Sequence, residues 1–598
     1  MTKIIIFHSG IELEIIHNVC EKLQQYIHKL LCMEEVEVVM ESNSSQLSCT
    51  LNSNEFVLLC STRTKVDGTL LPKGCHIIPI SFDEKTDYKK IDSSLQNINY
   101  FVYDNTEESK SSILLCEVIL SKLGLIKNAR KVFISYKRSE TSELAESVRK
   151  ELLSEGYSVF LDKNDIDVGT DFMQEIRYSI AESDIFLMLN SETYYDSIYT
   201  KKELYAACIS GVAIIVLSMT DALAHDLSGL PNIRISEKDR INPKEKERLL
   251  TEIENARTKL WQLRHNRLNR KLQMFGTFEK TIHGIYIPSE SNKNHNSIFP
   301  IVGIPTTLDF QRIKQHNDFS KLGEEPSDCE TTSGKVYAFY DNLSLPSSYS
   351  KHLDWIDNEM PNVNILKTST IEKQFPQEYP IMAEKAPVVF LSASVPNNDD
   401  CEYDFLLIHD IIVTLLETVI KAGGTMVFGG HPTITPIVLN VMEIMSEVSD
   451  KPKSKRYPNI YLYQSRYFKG RYPLEAESFP KGRLKEVDAV VCEDDSLSEE
   501  TKQKLSKELS LNAMREKMIR NWDYTCAIFI GGRYDKTEGP TSSGIWKEYE
   551  EFIKLHKNAK CLYLENTGVV PLELSKCYDN IEKTTIVDLP KILCGLNQ

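Results

Sequence analysis

Glu203 stands near the end of a polar run from Ser191 to Leu204 that follows an apolar stretch, Asp184 to Leu189. A carboxylate there offers a negative charge, although a single glutamate on an exposed helix is ordinarily a solvated charge. Two other places carry residues suited to anions. Gly429 and Gly430 end an apolar run, are followed by His431, and precede a helical pattern from Pro436; Gly531, Gly532 and Arg533 end another such run. Strand, glycines and helix start form the physical recipe for holding a phosphate, since glycine lets the backbone approach closely and the helix N-terminus offers unpaired N–H groups. Between them lies a basic-aromatic stretch, Tyr461 to Arg471, which includes Arg466, Lys469 and Arg471. Arginine forks pair with phosphate, and aromatic faces stack on bases.

Each feature also has a plainer reading. Gly429 and Gly430 suit a tight strand-to-helix turn, and the basic stretch suits a solvated loop on an acidic surface. His431 reads as a turn residue, because no His, Cys or carboxylate cluster with ligand spacing accompanies it.

The elements that must position these residues alternate between strands and helices in three blocks. In the first, residues 1–125, short apolar runs at Lys3–Phe7, Val36–Met40, Phe56–Cys60, His76–Ile80 and Tyr100–Tyr103 suit buried parallel strands. A helical pattern from Ile11 to Leu31 lies between the first two. The second block spans 129–235 and the third 386–598, which opens on Ala386–Pro396 with Ser392 and Ser394 in a small polar loop. Asn242 to Met274, within 240–275, reads as a long charged connector helix. Residues 276–385 are rich in Ser, Asn, Pro and Thr and read as an extension or linker of unclear fold. The expected class is α/β: three Rossmann-like or flavodoxin-like parallel-sheet domains joined by a helical connector.

Bulk properties set the frame. A chain of 598 residues exceeds one hydrophobic core. Its 41% hydrophobic and 26% charged content is that of a globular protein, with no apolar run near bilayer length and no signal-peptide pattern at the start. A cytoplasmic protein without a membrane partner is expected. Fourteen cysteines without a Cys-x-x-Cys pair favour neither a zinc site nor a disulfide framework, so no metal and no cofactor is expected. A formal charge of −16 disfavours a general nucleic-acid surface and leaves room for a small anion in a basic pocket.

Four segments, in order, resemble the TIR domain: Lys131–Arg138 as a first strand and polar loop, Gly156–Gly169 as a second strand and its loop, the helix bearing Ile176, Ile180 and Ala181, and the Glu203 run. The resemblance implies cleavage of the bond between nicotinamide and ribose in NAD+, with Glu203 as the catalytic residue. It places Phe133, Ser135 and Arg138 on the nucleotide side and Asp162, Asp165 and Gly169 in a loop beside the site. Ser197 and Tyr199 fall next to the substrate ribose. Ser135, Tyr136 and Arg138 equally suit the cap of a strand end. The first block shows no catalytic constellation and reads as a degenerate TIR-like or other Rossmann-like module.

The third block resembles the SLOG superfamily, which binds nucleotides or nucleotide-derived signals. Its enzymatic branch carries a compact Pro-Gly-Gly-x-Gly-Thr-x-x-Glu signature. Here Arg533 and an inserted loop separate Gly531 and Gly532 from Glu548, a departure that favours sensing over hydrolysis. The implied messenger site comprises Ser392, Ser394, Gly429, Gly430, His431, Arg466, Lys469, Arg471, Gly531, Gly532 and Arg533. The combination is similar to bacterial antiphage effectors of the Thoeris and CBASS kind. It implies an NAD+ hydrolase activated by a cyclic nucleotide or cyclic ADP-ribose-type messenger and assembled as a homo-oligomer. Two alternatives stand beside it: a TIR cyclase that makes a cyclic ADP-ribose signal, and a noncatalytic TIR adaptor.

Overall fold

The computed structural model describes residues 2–7, 13–31, 36–41, 56–61, 76–81, 101–104, parts of 111–119, 130–161, 172–219, 230–275, 278–280, 286–288, 297–306, 309–310, 313, 336–346, 363–375, 385–397, 404–448, 458–468, 479–480, 482–494 and 496–595. They fall into two compact units, each discontinuous in sequence. One takes in Met1–Ala129, Arg264–Tyr340 and Ile356–Leu366; the other takes in Arg130–Leu263, Asp341–Trp355 and Lys367–Gln598.

In the first unit, β1 (Thr2–Phe7), β2 (Val36–Glu41), β3 (Phe56–Ser61), β4 (His76–Ser81) and β5 (Phe101–Val102) pair in parallel in the order β2-β1-β3-β4-β5. Helix α1 (Leu13–Leu31) joins β1 to β2. This is the flavodoxin-like strand order. The 276–385 stretch supplies a second sheet that its composition hides: β11 (Phe278–Lys280), β12 (Tyr286–Pro288), β13 (Ser297–Ile301), β14 (Val336–Tyr340) and β15 (Asn364–Lys367), mixed in direction. Its strands are three to five residues long, too short for periodicity to mark them against their polar surroundings.

The second unit holds two parallel sheets. In one, β6 (Lys131–Ser135), β7 (Ser158–Leu161), β8 (Ile185–Asn190), β9 (Ala213–Ser218) and β10 (Asn232–Arg234) take the order β10-β9-β8-β6-β7. Every residue of β8 and β9 is buried, which is why both read as unbroken apolar runs rather than alternating ones. Helices α2 (Arg138–Ser154), α3 (Phe172–Glu182), α4 (Ile198–Ser210) and α5 (Pro243–Gln273) accompany it.

The other sheet has seven parallel strands: β16 (Val388–Ser394), β17 (Thr425–Gly429), β18 (Asn459–Ser465), β19 (Leu484–Val487), β20 (Cys526–Gly531), β21 (Lys560–Leu564) and β22 (Ile581–Thr584). Their order is β19-β18-β17-β16-β20-β21-β22, the Rossmann order with one more strand at the edge. Its helices are α6 (Asp404–Lys421), α7 (Thr435–Val448), α8 (Glu499–Arg520), α9 (Gly544–Leu555), α10 (Val569–Cys577) and α11 (Leu589–Leu593). One hydrophobic cluster runs through both sheets of this unit, from Ile134 and Leu187 through Ala207 to Ile412, Val438 and Leu562.

Buried ions fix the lower end of the β6–β10 sheet. Arg257 on α5 pairs with Asp184, at 3.1 Å, where both side chains are 4% exposed, and with Glu254 at 2.9 Å. Glu254 in turn receives Arg130 at 2.7 Å and the Tyr157 hydroxyl.

Candidate functional site

In open parallel sheets, ligands bind beyond the C-terminal ends of the strands where the strand order reverses. For the β6–β10 sheet that point lies between β6 and β8, and Ser135 ends β6 there. The chain leaves β8, makes a 3₁₀ turn at Tyr194–Asp196 and enters α4 through Ser197, whose Oγ accepts from the Thr200 N–H. The Thr200 hydroxyl donates back to the Tyr194 carbonyl at 2.6 Å, closing the turn onto the helix. Thr200, Glu203, Ala206, Ala207 and Ser210 share the spacing of one helix face, and that face is buried.

Glu203 is thus 4% exposed rather than a solvated charge. Ser135 Oγ donates to its Oε2 at 2.6 Å and lies 2.6 Å from the Tyr194 hydroxyl. Ser135 has one hydroxyl hydrogen, which the acceptor-only carboxylate takes, so Tyr194 donates to Ser135. Burial first, and then the negative charge of Glu203, push the Tyr194 hydroxyl well above its ordinary range, so it remains a donor. A second set of contacts ties the loop after β8 to the start of α2. Lys137 reaches the Thr193 carbonyl at 3.2 Å and its hydroxyl, and Glu140 lies 3.3 Å from the Lys137 ammonium. The hydroxyls of Ser191, first, and Thr193 hold the Glu140 carboxyl down at about 2.

The other residues expected here divide. Phe133 is fully buried, stacked between Phe160 and Phe186 with centroids 5.3 and 5.7 Å away, so it is part of the sheet core. Arg138 is exposed at the first position of α2. Ser197 is the cap of α4, and Tyr199, at 54% exposure, points outward beside the exposed Ile198. Asp162, Asp165 and Gly169 lie outside the described residues. Tyr194, Thr200, Lys137 and Glu140 were not singled out from the sequence; only their closeness to the Glu203 run and to Ser135 marked them.

In the seven-stranded sheet the order reverses between β16 and β20. Ser394 pairs with Gly531 there, and a Cβ on Gly531 would lie 1.8 Å from the Ser394 carbonyl oxygen, so this glycine is needed for the strands to close. Gly532, with a φ of +105°, would bring a Cβ within 2.9 Å of Val570. The Gly430 N–H donates to the Tyr463 carbonyl, and His431 Nδ1 meets the Thr433 hydroxyl at 2.9 Å within the turn before α7. Ser392 donates to Glu548 Oε2 at 2.5 Å, and Arg515 donates to Glu548 Oε1 at 3.1 Å. Despite the inserted loop, α9 therefore returns Glu548 to the switch point, neutralised by an arginine from α8. Arg533 is half-buried just past Gly532.

Arg466 sits apart from that crevice, at the end of β18, paired with Asp488 at 2.7 Å and Glu486 at 3.3 Å. It lines an open groove of about 560 Å³ with Tyr463, Lys485, Lys517 and Asn521. The aromatic faces of this stretch are engaged: Tyr461 lies 4.6 Å from the Trp522 ring, and the Tyr463 hydroxyl accepts from Trp522 and Asn521. Lys469 and Arg471 lie outside the described residues.

Among the described residues there is no cluster of His, Cys, Asp and Glu that could hold a metal, and no helix long and apolar enough to cross a membrane. A comparison with curated proteins found no match. One similar solved structure is a conserved domain protein from Vibrio cholerae O1 biovar El Tor str. N16961. It is 11% identical over 52% of this chain and 98% of its own, with a TM-score of 0.13. Two domain families match, the TIR domain over residues 132–250 and the SLOG cluster3 family over residues 400–592, a pairing that supports a TIR-based signalling or defence effector. The chain is therefore a fusion of a TIR domain, containing the Glu203 site, with a C-terminal domain of the SLOG cluster3 family.

Proposed function

We propose that this protein is an NAD+ glycohydrolase effector of antiphage defence, switched on when a cyclic nucleotide or cyclic ADP-ribose-type messenger occupies the SLOG switch point. The observation that carries the reading is the buried, hydroxyl-held carboxylate of Glu203 at the TIR switch point. Nicotinamide leaves NAD+ as a neutral base, so the barrier lies in the positive charge that develops on the ribose. A carboxylate fixed by Ser135 in a low-dielectric site stabilises that charge without reorganising. Water then adds to C1 of the ribose, giving ADP-ribose, nicotinamide and a proton. An exposure of 4% leaves Glu203 little surface for ribose hydroxyls, which fits a resting state that must open before turnover. Neighbouring TIR domains in a homo-oligomer complete the site.

The test is NAD+ consumption by purified protein, wild type and Glu203→Gln, with and without a panel of cyclic nucleotides and cyclic ADP-ribose isomers. Loss of NAD+ in the wild type that Glu203→Gln abolishes, without a fall in thermal midpoint, is the expected result. Equal turnover by the two proteins would remove the assignment, and product analysis separates hydrolysis from cyclisation.

A further inference from the structure

The last turn of a helix leaves carbonyls without intrahelical partners. In α4, the C-cap Gly211 N–H serves Ala207 and Cys208, and the Ile209 carbonyl is met from the SLOG domain: His409 Nε2 lies 3.0 Å from it, buried. The carbonyl can only accept, so Nε2 carries the hydrogen. The fit is tight. Gly211 is left-handed, with a φ of +55°, and a Cβ there would lie 2.7–2.9 Å from three atoms of the His409 ring. The ring also packs edge-on to Phe405, one turn earlier in α6.

The placement of α6 and α7 gives this contact its meaning. Helix α6 is the helix after β16, the strand that ends in Ser392 and Ser394, and α7 follows the Gly429–Thr433 turn. Both begin at the end of the sheet where the messenger crevice lies. His409 is five residues from the start of α6, about 8 Å along the axis. Helix α7 packs against α4 as well. At its other end α4 is fixed by Ser197, Thr200 and Tyr194, so the two ends together set the axial position of Glu203 against Ser135.

We propose that His409 is a positioning residue for Glu203, capping the C-terminal end of the catalytic helix in trans so that a shift of α6 at the messenger crevice moves the carboxylate. The proposal rests on the NADase reading for its catalytic consequence. It does not rest on it for the contact.

The experiment compares full-length wild type, His409→Leu, His409→Gln, His409→Ala, Gly211→Ala and Gly211→Ala/His409→Ala. Glutamine keeps a donor near the Nε2 position and leucine does not. For NAD+ cleavage, His409→Leu is expected to lower kcat about three- to ten-fold, the value of one hydrogen bond, with KM within about two-fold, while His409→Gln restores kcat. In hydrogen exchange read by mass spectrometry, leucine speeds exchange in the α4 peptides that contain Glu203, and glutamine does not. Gly211→Ala should do the same in the wild-type background, with a smaller effect in the His409→Ala background, where the ring no longer blocks the methyl and only the strain of a left-handed alanine is left. Leucine and glutamine behaving alike in both readouts, or Gly211→Ala acting equally in both backgrounds, would overturn the proposal. If the wild type cleaves no NAD+ with any member of the cyclic-nucleotide and cyclic ADP-ribose panel, the function proposed above fails, and the exchange measurements alone decide the contact.

Discussion

Replacing Ser135 by alanine and Tyr194 by phenylalanine, singly and together, tests the hydroxyl chain beneath Glu203. Ser135 and Tyr194 are fully buried, and both hydrogen bonds are 2.6 Å long. Ser135→Ala removes a donor to a charged acceptor, ~1.5–3 kcal/mol, and leaves the Tyr194 hydroxyl without its acceptor, ~1–3 kcal/mol. Tyr194→Phe removes only the outer link, because Ser135 still donates to Glu203, so ~1 kcal/mol is expected. In the Ser135→Ala background the same Tyr194→Phe change deletes a hydroxyl that has already lost its acceptor and costs about nothing. The coupling is therefore ~1 kcal/mol. Native-state hydrogen exchange of β6 and α4 amides across a urea series reads these values locally, which matters in a chain of several domains where one global midpoint does not. Additivity within ~0.5 kcal/mol would refute the hydroxyl chain, because independent groups behave that way.

Two more outcomes follow from charges near the site. Arg257→Met should destabilise the β6–β10 sheet by ~3–5 kcal/mol, since it takes the guanidinium from a carboxylate that is 4% exposed, and adding Asp184→Asn should recover much of the loss, read by the same native-state exchange of the sheet's amides. The Glu140 carboxyl, held at about 2 against an ordinary 4.5, supports the 191–193 loop fully above about pH 4.5 and loses that support as pH falls toward 2; a carbon-13 titration of this side chain with a midpoint near 4.5 would contradict it.

Much of the architecture was legible because the parallel strands of both switch-point sheets are buried on two faces and read as apolar runs, as Ile185–Leu189 and Cys526–Ile530 do. The 276–385 sheet was not, because β11 and β12 have three residues each. Glu203 and Ser135 were readable from their motif, but their hydrogen bond spans 68 positions and depends on which strands become neighbours. Phe133 shows the limit of carrying a role over from a resemblance: its place at the centre of β6 makes it a core residue, stacked between aromatics of the flanking strands. The partners of Glu548, Ser392 and Arg515, come from parts of the chain 156 and 33 positions away. No local pattern links them. His409 carried no signal at all, because the carbonyl it meets belongs to another domain.

The hydrophobic cluster shared by the two sheets of the second unit also has a consequence for the order of synthesis. Helix α4 leaves the ribosome about 200 residues before α6, an interval of ~10–40 s at ordinary elongation rates. Throughout it, the face that will meet α6 and α7 has nothing to cover it, and the cap for Ile209 has not yet been made. The TIR domain is thus born unfinished: the nascent chain carries Glu203 early, but the helices that pack against α4 arrive only with the SLOG domain.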